Sequence, residues 1–404
     1  MSLSVSEIRT IAGYYPNMRG EPRYQHALTI YINATSMDNL NAYIRRYKGC
    51  NLHVTLHGGD AGIMENDEHV DVFLTITDVT SIGYGAFEFS TSLVRVTIPA
   101  SVTFIGSYAF SECRNLTTII LPYGLQRVGV RAFSGCRSLA SVTFPQGLQQ
   151  IENYAFADCS NLSSVTLLQG LQHVGSDAFR GCSSLIYVTL PKGLQKIEEN
   201  AFYECSSIIS IILPEGLLHV KEYAFYGCSG IISIAFPRGL QLIEWAAFNA
   251  CTGITSITLP EGLLQMKDYA FYGCSRLKRV DLRNTQLLTI GAHAFRECRS
   301  LKTVEFPQEM KQIENFAFEE CRSLESIIFP YNLTTIGDGA FENCSSLAMV
   351  IFPQKLRYIG RRAFFGCNSL TTVTIPDSVD QKMLAFPVKC TIHRVPDDNP
   401  ALRF

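Results

Sequence analysis

Charge of one sign is the first thing this 404-residue chain lacks. Lys and Arg number 34 against 36 Asp and Glu, a formal net charge of −2. That balance gives no bulk attraction to nucleic acid or to an anionic membrane, so neither is expected as a partner. Long apolar runs are missing too: nothing approaches the roughly 18 uninterrupted apolar residues of a membrane-spanning helix. The first ten residues hold no basic stretch and no apolar stretch. An ordinary secretory signal is therefore not expected, and cytoplasmic residence is. Only 17% of residues are charged and 47% are apolar, which excludes a largely disordered chain.

Catalytic signatures are also scarce. There is no Gly-x-Ser-x-Gly and no Cys-x-x-Cys, and the eight His are scattered. His53 and His57 fall on one face of a predicted strand, with Asp60, Asp67, His69 and Asp71 downstream, but at no recognised metal-ligand spacing. The segment His57-Gly-Gly-Asp-Ala-Gly62 follows a strand without the Lys-Ser/Thr or helix start that a phosphate loop needs. No catalytic residue, metal or cofactor is expected, and the chain reads as something other than an enzyme.

What the chain does have is a repeat. Ala-Phe recurs with Phe at 87, 110, 133, 156, 179, 202, 225, 248, 271, 295, 318, 341 and 364. Every gap is 23 residues except one of 24, between Phe271 and Phe295. Counted from each Phe, Cys stands three on (Ser90 in the first repeat), Leu or Ile six on, Val or Ile nine on, and Leu, Phe or Ile eleven on. Pro usually follows at twelve, Leu mostly at fifteen and Ile or Val at eighteen. Slots nine and eleven differ by the strand period and share a face. The Pro after them ends the strand, and the x-Gly-Leu of the middle repeats makes a turn. One repeat cannot bury its own apolar face, whereas stacked repeats bury a continuous core. Thirteen coils at about 4.8 Å each make a stack on the order of 60 Å long. Losing one Phe to Ala in a middle coil is expected to cost about 3–5 kcal/mol.

The pattern Cys-x-x-Leu-x-x-Val-x-Leu-Pro-x-x-Leu-x-x-Ile-Gly-x-x-Ala-Phe resembles the BspA-like class of leucine-rich repeat. The resemblance implies a leucine-rich-repeat solenoid, an α/β repeat protein of about 13 strand-turn coils. It also implies an alternative role, because family members on bacterial and protist surfaces are associated with adhesion. On that alternative the chain is a surface adhesin, secreted or displayed by a non-classical route.

Three segments follow. Residues 1–71 read as a β-α-β unit: a strand at 27–33, a helix from Ser36 to Tyr47 and a strand at 51–56. It is a solenoid cap or a small domain, and a ligand-binding or enzymatic role for it stays open as a further alternative. Residues 72–380 are the solenoid. Residues 381–404 form a C-terminal cap with a closing strand at 388–395, because Lys382 stands where Ile is due. Twelve of the 14 Cys belong to the repeat. They read as an interior ladder of reduced thiols, each a small hydrophobe with a weak donor to a backbone carbonyl. The sequons at Asn33, Asn115, Asn161, Asn332 and Asn343 point the other way, to export.

Specificity falls to the variable slots, seven, eight and ten after each Phe, which are mostly Thr, Ser or Ala. Three sections depart from this. Ile186, Tyr187, Ile209, Ile212, Ile232 and Ala235 read as an apolar patch. Lys278, Arg279, Asp281, Arg283, Lys302, Glu305 and Glu325 form a charged block beside the 24-residue repeat. Tyr203, Tyr223, Tyr226, Trp245, Tyr269 and Tyr272 recur on the opposite half-coil, and residues of this kind are common at binding hot spots. The expected role is a rigid scaffold that binds a protein partner, of identity unspecified, through its strand face. Self-association stays open.

Overall fold

The computed structural model describes residues 9–10, 29–57, 64, 70–382 and 384–399. It is a parallel-strand β-solenoid of about 15 turns with one short helix near the N-terminus. The chain forms two compact units, Met1–Val188 and Thr189–Phe404.

In the first unit, strands Thr29–Ala34, Asn51–His57, Asp71–Thr77, Leu93–Thr97, Thr118–Ile120 and Ser141–Thr143 lie side by side in that order, all parallel. Arg9–Thr10 pairs antiparallel with the first of them. The helix Met37–Arg46 connects the first two strands. Ser36 caps it by accepting from the Asn39 N–H at 3.2 Å, and Asp38 in its first turn and Arg45 and Arg46 in its last complement the helix dipole. It buries Leu40, Tyr43 and Ile44. The β-α-β reading of the N-terminal segment therefore holds, and its strands belong to the same ladder as the first coils. Residues 27 and 28 of the expected strand lie outside the described residues.

Each repeat makes one coil with two strand segments. The three-residue strand carries slots eight to ten. A second strand of two residues closes on slot eighteen: Ser81–Ile82, Phe104–Ile105, Arg127–Val128, Gln150–Ile151 and His173–Val174 form one such parallel ladder in the first unit. In the second unit, Thr289–Ile290, Gln312–Ile313, Thr335–Ile336, Tyr358–Ile359 and Asp380–Gln381 form another. This second sheet is not visible in the hydrophobic alternation, because two residues are too few to show a period.

The Ala-Phe dipeptide sits in a tight arch between these sheets. Residues two before and two after the Phe adopt left-handed backbone: Tyr223 has φ 53° and Gly227 φ 70° around Phe225. The Phe N–H donates to the Ala carbonyl one coil on, as from Phe225 to Ala247 at 2.8 Å, so each arch is bonded to the next. The rings stack nearly parallel, with Phe225–Phe248 at 5.3 Å and Phe248–Phe271 at 5.2 Å. Where slot eleven is also Phe, its ring meets the column edge-on, as Phe236 does on Phe248 at 5.6 Å and 85°. Such pairs add about 0.5–1.5 kcal/mol beyond the area they bury.

The count of 13 coils needs correction. Ala385 and Phe386 are buried, and the Phe386 ring stacks on Phe364 at 5.2 Å and 3°. The step from Phe364 is 22 residues, so a 23-residue ruler passes over it. Lys382 does not stop the core. The residue level with Ile359 is half-buried Gln381, while Lys382 projects outward over the Tyr358 ring with its N–H donating to the Ile359 carbonyl, and Val379 fills the slot that Leu356 holds one coil before. At the other end Met64, 23 residues before Phe87, is fully buried. The closing strand is Thr391–Val395, parallel to Thr372–Pro376.

Candidate binding surface

The twelve cysteines of the repeat are buried thiols. Eleven of those sulfurs lie 3.0–3.4 Å from the Phe carbonyl of the preceding coil, donating to it. Burial pushes the Cys136, Cys228 and Cys298 thiols well above their ordinary range, and that of Cys274 up to about 12. The nucleophilic thiolate is thereby suppressed. Ser90, in the same slot of the first coil, has a buried Oγ with no hydrogen-bond partner among the described residues.

His53 and His57 are engaged with neighbours. His53 stacks on Phe73 at 4.6 Å, and burial followed by the nearby Arg95 lowers its pKa. His57 Nδ1 lies 2.9 Å from Thr77 Oγ1 and 3.3 Å from Asp78. Among the described residues no group of three His, Cys, Asp or Glu could hold a metal ion. The Gly-rich segment 58–62, and Asp60, Asp67 and His69, lie outside the described residues.

The variable slots do reach the surface. In the first unit Tyr187 is exposed and Ile186 is half-buried. In the second unit Ile209, Ile212 and Ile232 are exposed at 44%, 76% and 51%, beside the buried Ile208, Ile211 and Ile231. Ile212 stands opposite Ala235 in the ladder, and the Ile232 N–H donates to the Ile209 carbonyl at 2.9 Å, so these side chains are neighbours.

The charged block closes largely on itself. Asp281 is buried at 7% exposure, and Arg283, standing in the Pro slot, wraps it. The guanidinium donates to both carboxylate oxygens (Nε to Oδ1 3.1 Å, Nη2 to Oδ2 2.8 Å), and the Arg283 N–H donates to Oδ1 at 3.2 Å. Those bonds hold the Asp281 carboxyl below the usual carboxylate range. Glu305 bridges Arg279 at 3.0 Å and Arg283 at 3.1 Å, and Lys302 pairs with Glu325 at 3.4 Å. Among the described residues, exposed Arg276 and Lys278 join no ion pair. The extra residue of this coil is absorbed at Arg283–Thr285, where the Thr285 hydroxyl donates to the Leu282 carbonyl at 2.8 Å.

The aromatic set forms a half-buried column on the arch side. Tyr223 meets Trp245 at 4.6 Å, Trp245 meets Tyr269 at 5.3 Å, and Tyr203 stacks on Tyr226 at 4.8 Å. His293 and Phe316 extend the column past Tyr269 at 4.5 and 5.0 Å. Both occupy the same slot as Tyr269, two before the repeat Phe, and that slot alone identifies them. Sequence reasoning also missed a second apolar patch. Ile328 and Met349 are exposed at 55% and 49%, beside a groove of about 260 Å³ lined by Met349, Ile351, Phe352, Thr372 and Thr374. Its signal was Ile, Met and Ile in slots eight and ten, where Thr and Ser are usual.

Stacked parallel coils, a Phe column and a Cys ladder define a leucine-rich-repeat protein. The model of the BspA type leucine rich repeat region matches at residues 80–208, 173–285 and 268–386, most of the chain, and the protein belongs to that family. It is similar to a leucine-rich repeat protein from Bacteroides ovatus: 27% identity over 97% of this chain and 99% of that one, with a TM-score of 0.66. It also matches a leucine rich cell surface protein from Faecalibacterium prausnitzii, at 22% identity over 95% and 96% of the two chains, with a TM-score of 0.49. No curated protein matches it in sequence. No helix among the described residues is long and apolar enough to cross a membrane.

Proposed function

We propose that this protein is a non-enzymatic scaffold that binds a protein partner through the strand face of its coils. The observation that carries this reading is the exposure of Ile209, Ile212 and Ile232 on adjacent coils whose neighbouring slots, at Ile208, Ile211 and Ile231, are buried. Apolar side chains held outward on a rigid ladder lose little entropy on being covered, which favours association. The suppressed thiols support the non-enzymatic part, and a ladder of buried thiols donating to backbone carbonyls supports a cytoplasmic setting. The segment 1–71 fits a cap, because its strands extend the solenoid ladder and cover its first coil.

The test is Ile209→Asp combined with Ile232→Asp, with folding checked by circular dichroism and thermal unfolding. Capture of a partner from native lysate by the parent chain should be lost in the variant. Equal capture by a folded variant rejects the strand face.

A further inference from the structure

The strand face of the second unit has an order along it. Ile209, Ile212 and Ile232 lie at one end, and Ile328, Met349 and the groove beside Met349 lie at the other. Between them one coil presents Arg276, Lys278 and Arg279, all exposed, with Lys302 on the next. The carboxylates of this middle section are already spent. Asp281 and Glu305 are engaged by Arg279 and Arg283, and Glu325 by Lys302, which leaves Arg276 and Lys278 as uncompensated cations.

The groove lies at a break in the strand ladder. Met349–Ile351 ladders with Ser326–Ile328, and Thr372–Pro376 ladders with Thr391–Val395, but the two pairs do not ladder with each other. The seam between them opens a recess large enough for one aliphatic side chain, floored by Phe352 and edged by Thr372 and Thr374. From strand Ser210–Ile212 to strand Met349–Ile351 there are six coil steps. At about 4.8 Å per step that is roughly 29 Å, the reach of about nine residues of extended chain.

We propose that the partner contributes an extended segment that is apolar at both ends and acidic in the middle, lying across these coils with one aliphatic side chain in the groove beside Met349. The proposal rests on the strand-face reading and names the chemistry that reading leaves open. Carboxylates at the centre meet Arg276 and Lys278 without displacing an existing pair, whereas a cationic centre meets only repulsion. A nucleic-acid strand would satisfy the cations but leave both apolar ends uncovered.

The experiment is fluorescence anisotropy of the full chain with three labelled peptides: leucine ends with an aspartate-glutamate centre, leucine ends with a lysine centre, and serine ends with the acidic centre. The first should bind roughly tenfold or more tighter than either other, and its affinity should fall with added salt. Arg276→Glu with Lys278→Glu, both outside every ion pair among the described residues, should reverse the preference for the acidic centre while circular dichroism stays unchanged. Equal binding of acidic and lysine-centred peptides overturns the proposal. So does a single-stranded DNA oligonucleotide that binds as tightly as the first peptide, or no binding by any peptide. The two readings fail separately. If the Ile209 and Ile232 substitutions abolish partner capture while the peptides show no charge preference, the strand face stands and the acidic class falls.

Discussion

Cys251 Sγ lies 3.1 Å from the carbonyl oxygen of Phe225, one coil below, and that oxygen also accepts the N–H of Cys228 at 3.2 Å. One carbonyl thus joins the tightest turn of its own coil to the core of the next. Because the Cys228 N–H remains, Cys251→Ala removes a weak bond and one buried atom without orphaning the acceptor. Its cost should sit near about 1 kcal/mol rather than several. Cys251→Val adds a methyl branch to a column of close neighbours and should cost more, about 1–3 kcal/mol. Urea unfolding of the two variants checks this order. A Val variant as stable as the parent would show that the ladder tolerates space and needs no donor.

The same ladder makes the protein sensitive to alkali. Cys136, Cys159, Cys228, Cys251, Cys298 and Cys344 all have pKa values raised by burial, so in the folded state they keep their protons where an unfolded chain gives them up. Above the unfolded thiol pKa of about 8.5 the native state binds more protons than the unfolded one, and stability falls as pH rises. Below that value the term is flat. The urea midpoint should hold steady through neutral pH and drop above about pH 9, steepening with each thiol that titrates on unfolding. A midpoint unchanged at about pH 10 would contradict buried, protonated thiols.

Trp245 is the only tryptophan of the chain, and its ring lies between those of Tyr223 and Tyr269. It reports on the aromatic column without labelling. Tyr269→Ala removes the ring on one side and should shift Trp245 emission to the red. Tyr269 also has φ 59°, a left-handed backbone that costs a side chain roughly 1 kcal/mol and a glycine little. Tyr269→Gly should therefore be no less stable than Tyr269→Ala, the reverse of the usual order. Thermal unfolding of the pair decides it, and a markedly weaker Gly variant would mean the arch is not where the strain lies.

The architecture was legible because every core slot repeats: the Phe column, the Cys ladder and the strand-ending Pro all follow from one 23-residue period. The ends were read less well, since Phe386 arrives one residue early and Met64 takes the Phe slot with a different side chain. The strand face was legible only as composition. Its slots showed that Ile209 and Ile232 point outward, but not that Asp281 is buried under Arg283, because a charge in an exposed slot looks the same whether or not a neighbour folds over it. The groove beside Met349 lies where two neighbouring strands do not ladder, and hydrogen bonds that fail to form leave no mark on hydropathy.

Arg283 replaces the strand-ending Pro in the one coil that carries an extra residue, and it supplies three donors to buried Asp281. Arg283→Ala leaves that carboxylate to the backbone N–H of residue 283, at 3.2 Å, and to Arg279, at 3.5 Å, and should lower stability at neutral pH. Arg283→Pro restores the usual residue but loses the backbone N–H as well as the guanidinium, so it should be no better. The pH dependence separates this from a simple packing loss. The pair lowers the Asp281 pKa, so its contribution is present above the unfolded value of about 4 and disappears as pH falls through the folded one. The difference between parent and Arg283→Ala should therefore shrink as pH is lowered toward about 3, and urea midpoints measured across that range read it directly. A difference that stays constant would mean Arg283 acts through its stem and the shape of the turn, not through its charge.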